Sequence, residues 1–195
     1  MGTLANTERD LWDRAVSGDP AAFGEVFSLH ADRVFGHSLR LTRSRVDADD
    51  VTAITFLHAW NKRTKVRIVD DSIIGWLLVT AGNIAHNLER SRRRERAALA
   101  RLAAIDGSRA ESSTDGFEAS DTRAMILGAF EQLAPRHQEV LALCVIAGLP
   151  MAETASALGV PIGTVKSRLA RAKSRLHEKL PARTSANGFL IEEHI

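Results

Sequence analysis

Between Asp106 and Ser120 the sequence reads DGSRAESSTDGFEAS. Ser, Gly and acidic residues replace the aliphatic periodicity found on either side, which is the composition of a flexible linker. About 100 residues precede this stretch and about 75 follow, so each side can bury only one small core. Both sides read almost entirely as helix. No segment alternates apolar and polar residues between hairpin turns, and Tyr is absent. The expected fold class is all-α: two small helical domains at 1–101 and 122–181, a flexible acidic linker at 102–121, and a tail at 182–195.

Helix starts punctuate the first half. Asp19-Pro20 pairs an N-cap with a first-turn proline, and Phe23, Phe27, His30, Val34 and Leu41 follow at helical spacing. Asp47 is the expected cap of the next helix, with Asp49 and Asp50 near its positive end. That helix is expected to bury Val51, Ile54 or Thr55, and His58 on one side. Asn61–Asp71 has weak periodicity and reads as a loop. Ser72 caps a further helix carrying Ile73, Trp76, Leu77, Ile84 and Leu88 before the run SRRRER. Helical spacing favours core packing over base stacking for Trp60 and Trp76.

The formal net charge of +2 conceals alternating blocks: −3 over residues 1–60, +6 over 61–101, −4 over 102–135 and +3 over 136–195. Two basic blocks separated by an acidic one suggest two polyanion-contacting surfaces, or two solvated helix faces. The apolar runs Ile73–Ala81 and Val140–Leu149 fall far short of the ~18–20 residues of a membrane span. The first residues show neither a secretory signal nor a myristoylation pattern. The single Cys144 excludes an internal disulfide and a multi-cysteine zinc site, and lies among aliphatic neighbours as a structural thiol would. The expectation is a cytoplasmic chain with no membrane insertion. The seven histidines form no HExxH or other ligand spacing, and no Gly-rich phosphate loop occurs. No catalytic residue, metal, cofactor or small-molecule substrate is expected.

The most informative stretch is Met151–Leu180, MAETASALGVPIGTVKSRLARAKSRLHEKL. A short helix ends at Gly159, suited to a left-handed C-cap, and Pro161 restarts the chain into a longer helix. This is a helix-turn-helix pattern. Stepping about 100° per residue from Thr164 puts Val165, Leu169, Ala172 and Leu176 on a packing stripe. Thr164, Ser167, Arg168, Arg171 and Arg175 share the adjacent face, and Lys166 and Lys173 lie on the other flank. Guanidinium groups can pair bidentately with guanine edges or phosphates, and hydroxyls near a helix N-terminus suit phosphate contacts. Val140, Leu141, Leu143, Cys144 and Ala147 are expected to pack behind this motif.

GVPIGTVKSRLARAKSRL closely resembles the recognition-helix region of the extracytoplasmic-function (ECF) sigma factors of bacterial RNA polymerase. QLAPRHQEVLAL is similar to the start of the same domain, sigma region 4. DADDVTAITFLHAWN and IIGWLLVTAGNIAHNLERSRRR resemble sigma region 2, and the likeness covers roughly residues 8–180. It implies a promoter-specificity subunit without catalysis of its own, with core RNA polymerase and promoter DNA as partners and an anti-sigma factor as regulator. Region 4 would read the −35 element through Thr164, Lys166, Ser167, Arg168, Arg171, Lys173 and Arg175. Region 2 would contact the −10 element through Asn83, His86, Asn87, Arg90, Arg93 and Arg94, and Arg92 belongs to the same run. The loop carrying Lys62, Arg63, Lys65 and Arg67 falls where the family captures an unstacked base. Asp49, Asp50, Ala53 and Ile54 fall in the polymerase-binding helix. Two positions depart from the family pattern: Ala53-Ile54 replaces a common Gln-Glu, and Gly82 a common Arg. The residues by themselves leave a second reading, a free-standing helix-turn-helix regulator, and a third, a scaffold that engages only protein.

Overall fold

The computed structural model describes residues 7–105, 125–126 and 128–179. Helix α1 spans Glu8–Val16 and opens with a capping box. Thr7 Oγ1 accepts the Asp10 N–H, and the Asp10 carboxylate accepts the Thr7 N–H in return. Helix α2 spans Pro20–Thr42, with Asp19 as the expected cap, its Oδ1 accepting the N–H groups of Ala21 and Ala22. It stops at Arg43, which adopts a left-handed φ of 57°.

Helix α3 spans Arg45–Asn61 and corrects one expectation. Its cap is Ser44, whose hydroxyl accepts the Asp47 N–H, and not Asp47. Asp47 stands in the first turn with its carboxylate turned inward, where it pairs bidentately with Arg92. On the buried face Val51 is inward as expected, Thr55 rather than Ile54 takes the position that the spacing left open, and His58 is only half-buried. Val51, Thr55, Phe56 and Ala59 point inward, while Ile54 and Leu57 are 39% and 55% exposed. Thr55 tolerates burial because its hydroxyl donates to the Val51 carbonyl at 2.6 Å. On α2 the inward stripe is Val26, His30, Val34 and His37, and Phe27 is turned outward, 42% exposed.

Helix α4 spans Ile74–Ile105, four residues past the boundary placed at 101. Ser72 Oγ accepts the Ile74 N–H as expected. Glu8 supplies a second, long-range cap: one carboxylate oxygen accepts the Ile73 N–H and the Ser72 hydroxyl and lies 2.8 Å from His30 Nε2. These bonds hold the Glu8 carboxyl below its usual range against the opposing effect of burial. One side chain thereby joins α1, α2 and the start of α4. Trp12, Val34, Val51, Phe56, Leu77 and Leu78 centre the core between these helices. Both tryptophans of interest pack there: Trp60 lies 5.1 Å from Phe23, centroid to centroid, and Trp76 lies against the same core.

The second unit begins with helical residues 125–126 and 128–131 and continues as α5, Pro135–Leu141. A wider π turn, Ala142–Ile146, follows, closed by the Ala147 N–H on the Ala142 carbonyl. Then come α6, Met151–Leu158, and α7, Ile162–Lys179. Val140 and Cys144 pack behind α6 and α7 as expected. Leu143 and Ala147 do not: they enter the core of the first unit, together with Leu149 and Leu158. The two units therefore share an apolar boundary. No described helix is long and apolar enough to cross a membrane.

Candidate nucleic-acid interface

The turn between α6 and α7 is built locally. Gly159 takes φ 66° and ψ 33°, and its N–H returns to the carbonyls of Ala155 and Ser156. The Val160 N–H also reaches the Ala155 carbonyl, which closes the end of α6. The Pro161 carbonyl accepts from Thr164 and Val165, so α7 starts one residue later. Val165 and Ala172 are fully buried, and Leu169 and Leu176 pack beside them. The packing stripe read from the sequence is thus the one observed.

The polar face of α7 remains open. Lys166, Ser167, Arg171 and Arg175 are exposed, and Thr164, Arg168 and Lys173 are half-buried. The Ser167 hydroxyl donates to the Thr164 carbonyl, leaving its lone pairs outward. The concentration of positive charge registers on His137 behind the helix. Burial lowers its pKa, and Arg136, Arg175, Arg171 and Arg168 lower it further. Such a face attracts anions.

The basic block of the first unit divides in two. Asn83, His86, Asn87, Arg90 and Arg94 recur at i, i+3, i+4, i+7 and i+11, and all are exposed on one stripe of α4. Arg93 lies at the edge of that stripe and pairs with Glu131 of the second unit at 3.0 Å. Arg92 faces the opposite way, into Asp47. The arginine run is therefore not one solvated cluster. In the preceding loop, a short 3₁₀ turn at Arg63–Lys65 leads to a tight reversal in which Val69 and Ser72 bond each other's backbone and Asp70 and Asp71 take positive φ. Lys62, Lys65 and Arg67 are exposed. Arg63 lies over the Trp60 ring at 4.5 Å and donates to the Trp60 carbonyl, so its guanidinium is held against the helix end.

A different surface lies on α3. Asp49, Asp50, Ala53 and Ile54 are all exposed, and Val46 and Leu57 flank them at 70% and 55% exposure. Phe27 of α2 touches Phe56 beside this strip. Sequence reasoning missed the apolar part at Phe27, which falls at helical spacing with the core residues of α2. The strip therefore presents large outward apolar residues flanked by carboxylates. Cys144 is half-buried and its thiol is pushed up by burial, so it has the character of an inert structural thiol.

Fold and surfaces together define a helix-turn-helix protein with a second basic helical unit. Family models match both parts: Sigma-70 region 2 over residues 26–95 and Sigma-70 region 4 over residues 123–176. The ECF RNA polymerase sigma factor SigL of Mycobacterium tuberculosis is 30% identical over 161 residues, covering 80% of this chain and 86% of SigL. The ECF RNA polymerase sigma factor BldN of Streptomyces coelicolor is 29% identical over 174 residues, 88% of this chain; the chain spans only 65% of BldN's length. Among solved structures, CnrH in complex with the cytosolic domain of CnrY is similar with a TM-score of 0.60 and 26% identity, over 93% of this chain and 99% of that one. The chain belongs to the ECF sigma factor family of RNA polymerase.

Proposed function

We propose that this chain is a promoter-specificity subunit that binds core RNA polymerase, directs it to −10 and −35 elements and assists strand opening. The observation that carries this reading is the separation of three surfaces on one chain: the basic face of α7, the polar stripe of α4, and the apolar-acidic strip of α3. In this reading α7 enters the major groove at the −35 element, with Arg168, Arg171 and Arg175 on base edges or phosphates and Thr164, Lys166, Ser167 and Lys173 on the backbone. Asn83, His86, Asn87, Arg90, Arg93 and Arg94 follow the displaced strand at the −10 element, with Lys62, Arg63, Lys65 and Arg67 beside it. Unstacking costs a few kcal/mol per step, roughly, and electrostatic capture of the displaced strand offsets it.

Asp49, Asp50, Ala53 and Ile54 meet the polymerase, with Leu57 and Phe27 extending the contact. Where the family commonly carries Gln-Glu, Ala53-Ile54 shifts that contact toward apolar burial. The protein works in the cytoplasm and catalyses nothing itself. A protein regulator of the anti-sigma kind is a further partner, by likeness to CnrH, which is seen bound to the cytosolic domain of CnrY.

The test is in vitro transcription from a genomic fragment library with core polymerase, with and without this chain. New start sites sharing two upstream elements are expected. A folded chain that neither joins core polymerase nor changes where transcripts begin would overturn the proposal. A stable homodimer that binds operator DNA tightly without polymerase would favour the free-standing regulator instead.

A further inference from the structure

A cavity of about 520 Å³ opens between α2 and α4 of the first unit and α5, the π turn and α7 of the second. That volume lies within the roughly 300–1,000 Å³ typical of small-molecule sites. Leu41 and Val79 line it from the first unit, and Phe130, Val145 and Leu176 from the second. All five are only partly buried, so the protein's own packing does not close this apolar wall. Gly82 keeps the α4 side open: among the described residues, a Cβ there would meet nothing but His37 Nε2, at 3.9 Å.

His37 is the polar group on that wall. Its ring is 1% exposed, and neither nitrogen has a hydrogen-bond partner among the described residues. Burial, with the guanidinium groups of Arg40 and Arg33 adding to it, holds the ring neutral. A neutral imidazole carries one N–H donor and one acceptor, and here both go unused. Arg40, one turn further along α2, lines the same cavity. Its Nη1 donates to the Ile146 carbonyl at 2.9 Å, which occupies one of the five N–H donors of a guanidinium.

The charge around the cavity is unbalanced. Five arginines (Arg40, Arg43, Arg90, Arg93 and Arg136) line it against three carboxylates. Two of those carboxylates are engaged, Glu131 with Arg93 and Glu89 with Arg96. Burial pushes the third, Glu139, up toward its protonated form, against the pull of Arg168. The surplus suits one negative charge. A wholly apolar occupant would leave His37 unpaired, and a small inorganic anion would leave the aliphatic wall unfilled.

We propose that this cavity binds a single-chain amphipathic carboxylate of the fatty-acid class, with its carboxylate between His37 and Arg40 and its chain along Val79, Phe130, Val145 and Leu176. The site needs neither polymerase nor DNA, so it stands or falls separately from the proposed function.

The experiment titrates dodecanoate, below its micelle-forming concentration, into the full chain at pH 7.5 by isothermal calorimetry. One equivalent is expected to bind with a Kd of about 0.1 mM or tighter, in keeping with ordinary ligand efficiency for a molecule of this size. Acetate lacks the chain and dodecyltrimethylammonium reverses the charge; each is expected to bind at least about tenfold more weakly. Gly82→Leu fills the space beside His37 with a better helix former, and is expected to abolish binding while helical circular dichroism is retained. His37→Leu and Arg40→Gln are each expected to weaken binding about tenfold. Absence of saturable binding overturns the proposal, and so does uptake of several equivalents, the mark of adsorption. An affinity matched by dodecyltrimethylammonium, or unaltered by both Gly82→Leu and Arg40→Gln, overturns it as well. Should Gly82→Leu disturb the fold, Arg40→Gln, at an exposed position, decides the outcome.

Discussion

His37 supplies a quantitative test of how the first unit holds its boundary with the second. The ring is buried on α2, and neither of its nitrogens has a hydrogen-bond partner. Burial lowers its pKa from 6.5 to about 4, with Arg40 and then Arg33 adding to the effect. In the unfolded chain the imidazole gains its proton near pH 6.5; in the folded chain it resists until about pH 4. Between those values the unfolded state binds more protons, so stability is full above pH 6.5 and falls as the pH drops toward 4. At pH 5 the loss from this one residue is about 2 kcal/mol. His37→Leu keeps the volume and removes the titration. Urea unfolding at pH 7.5 and pH 5 is the assay. The unsubstituted chain is expected to lose about 2 kcal/mol more than the variant between the two conditions, roughly a 1 M difference in midpoint shift. Parallel losses in the two proteins would show that the ring is not held neutral in the fold.

Gly82 lies within α4 opposite His37, and a Cβ there would meet only His37 Nε2 at an ordinary 3.9 Å. Gly82→Ala should therefore stabilise the helix by about 0.8 kcal/mol, seen as a rise in Tm. Leu57→Glu should leave stability within about 0.5 kcal/mol of unchanged, since the side chain is exposed, yet weaken binding to core polymerase about tenfold in a pull-down titration. Arg171→Ala with Arg175→Ala should weaken −35 binding and lower the slope of log affinity against log salt by about 0.9 for each phosphate no longer neutralised. Asp47→Ala should leave Arg92 without its partner and speed amide exchange where α4 packs on α3, with little effect at α7.

The helix-turn-helix was legible because every signal for it is local. Gly159 ends one helix, Pro161 precedes the next, and the apolar stripe repeats within three or four residues, so each choice is made by near neighbours along the chain. The Asp19-Pro20 start of α2 was legible for the same reason. Expectations failed where a side chain answers to something distant. Asp47 looks like a cap but serves Arg92, 45 residues away. Phe27 and Leu57 carry the chemistry of core residues, and only the neighbouring helices decide that they face outward. Leu143 and Ala147 lie on the helical face that meets the other unit, which no periodicity in their own segment reveals. The sequence alone determined the helix-turn-helix, the start of α2 and the charge of each block, since these depend on composition and on spacing within a turn or two. The tertiary structure alone decided which arginines face solvent and which are engaged within the chain. Pairing across 38 residues, as in Arg93–Glu131, or 89, as in Arg67–Ser156, is set by how whole helices pack.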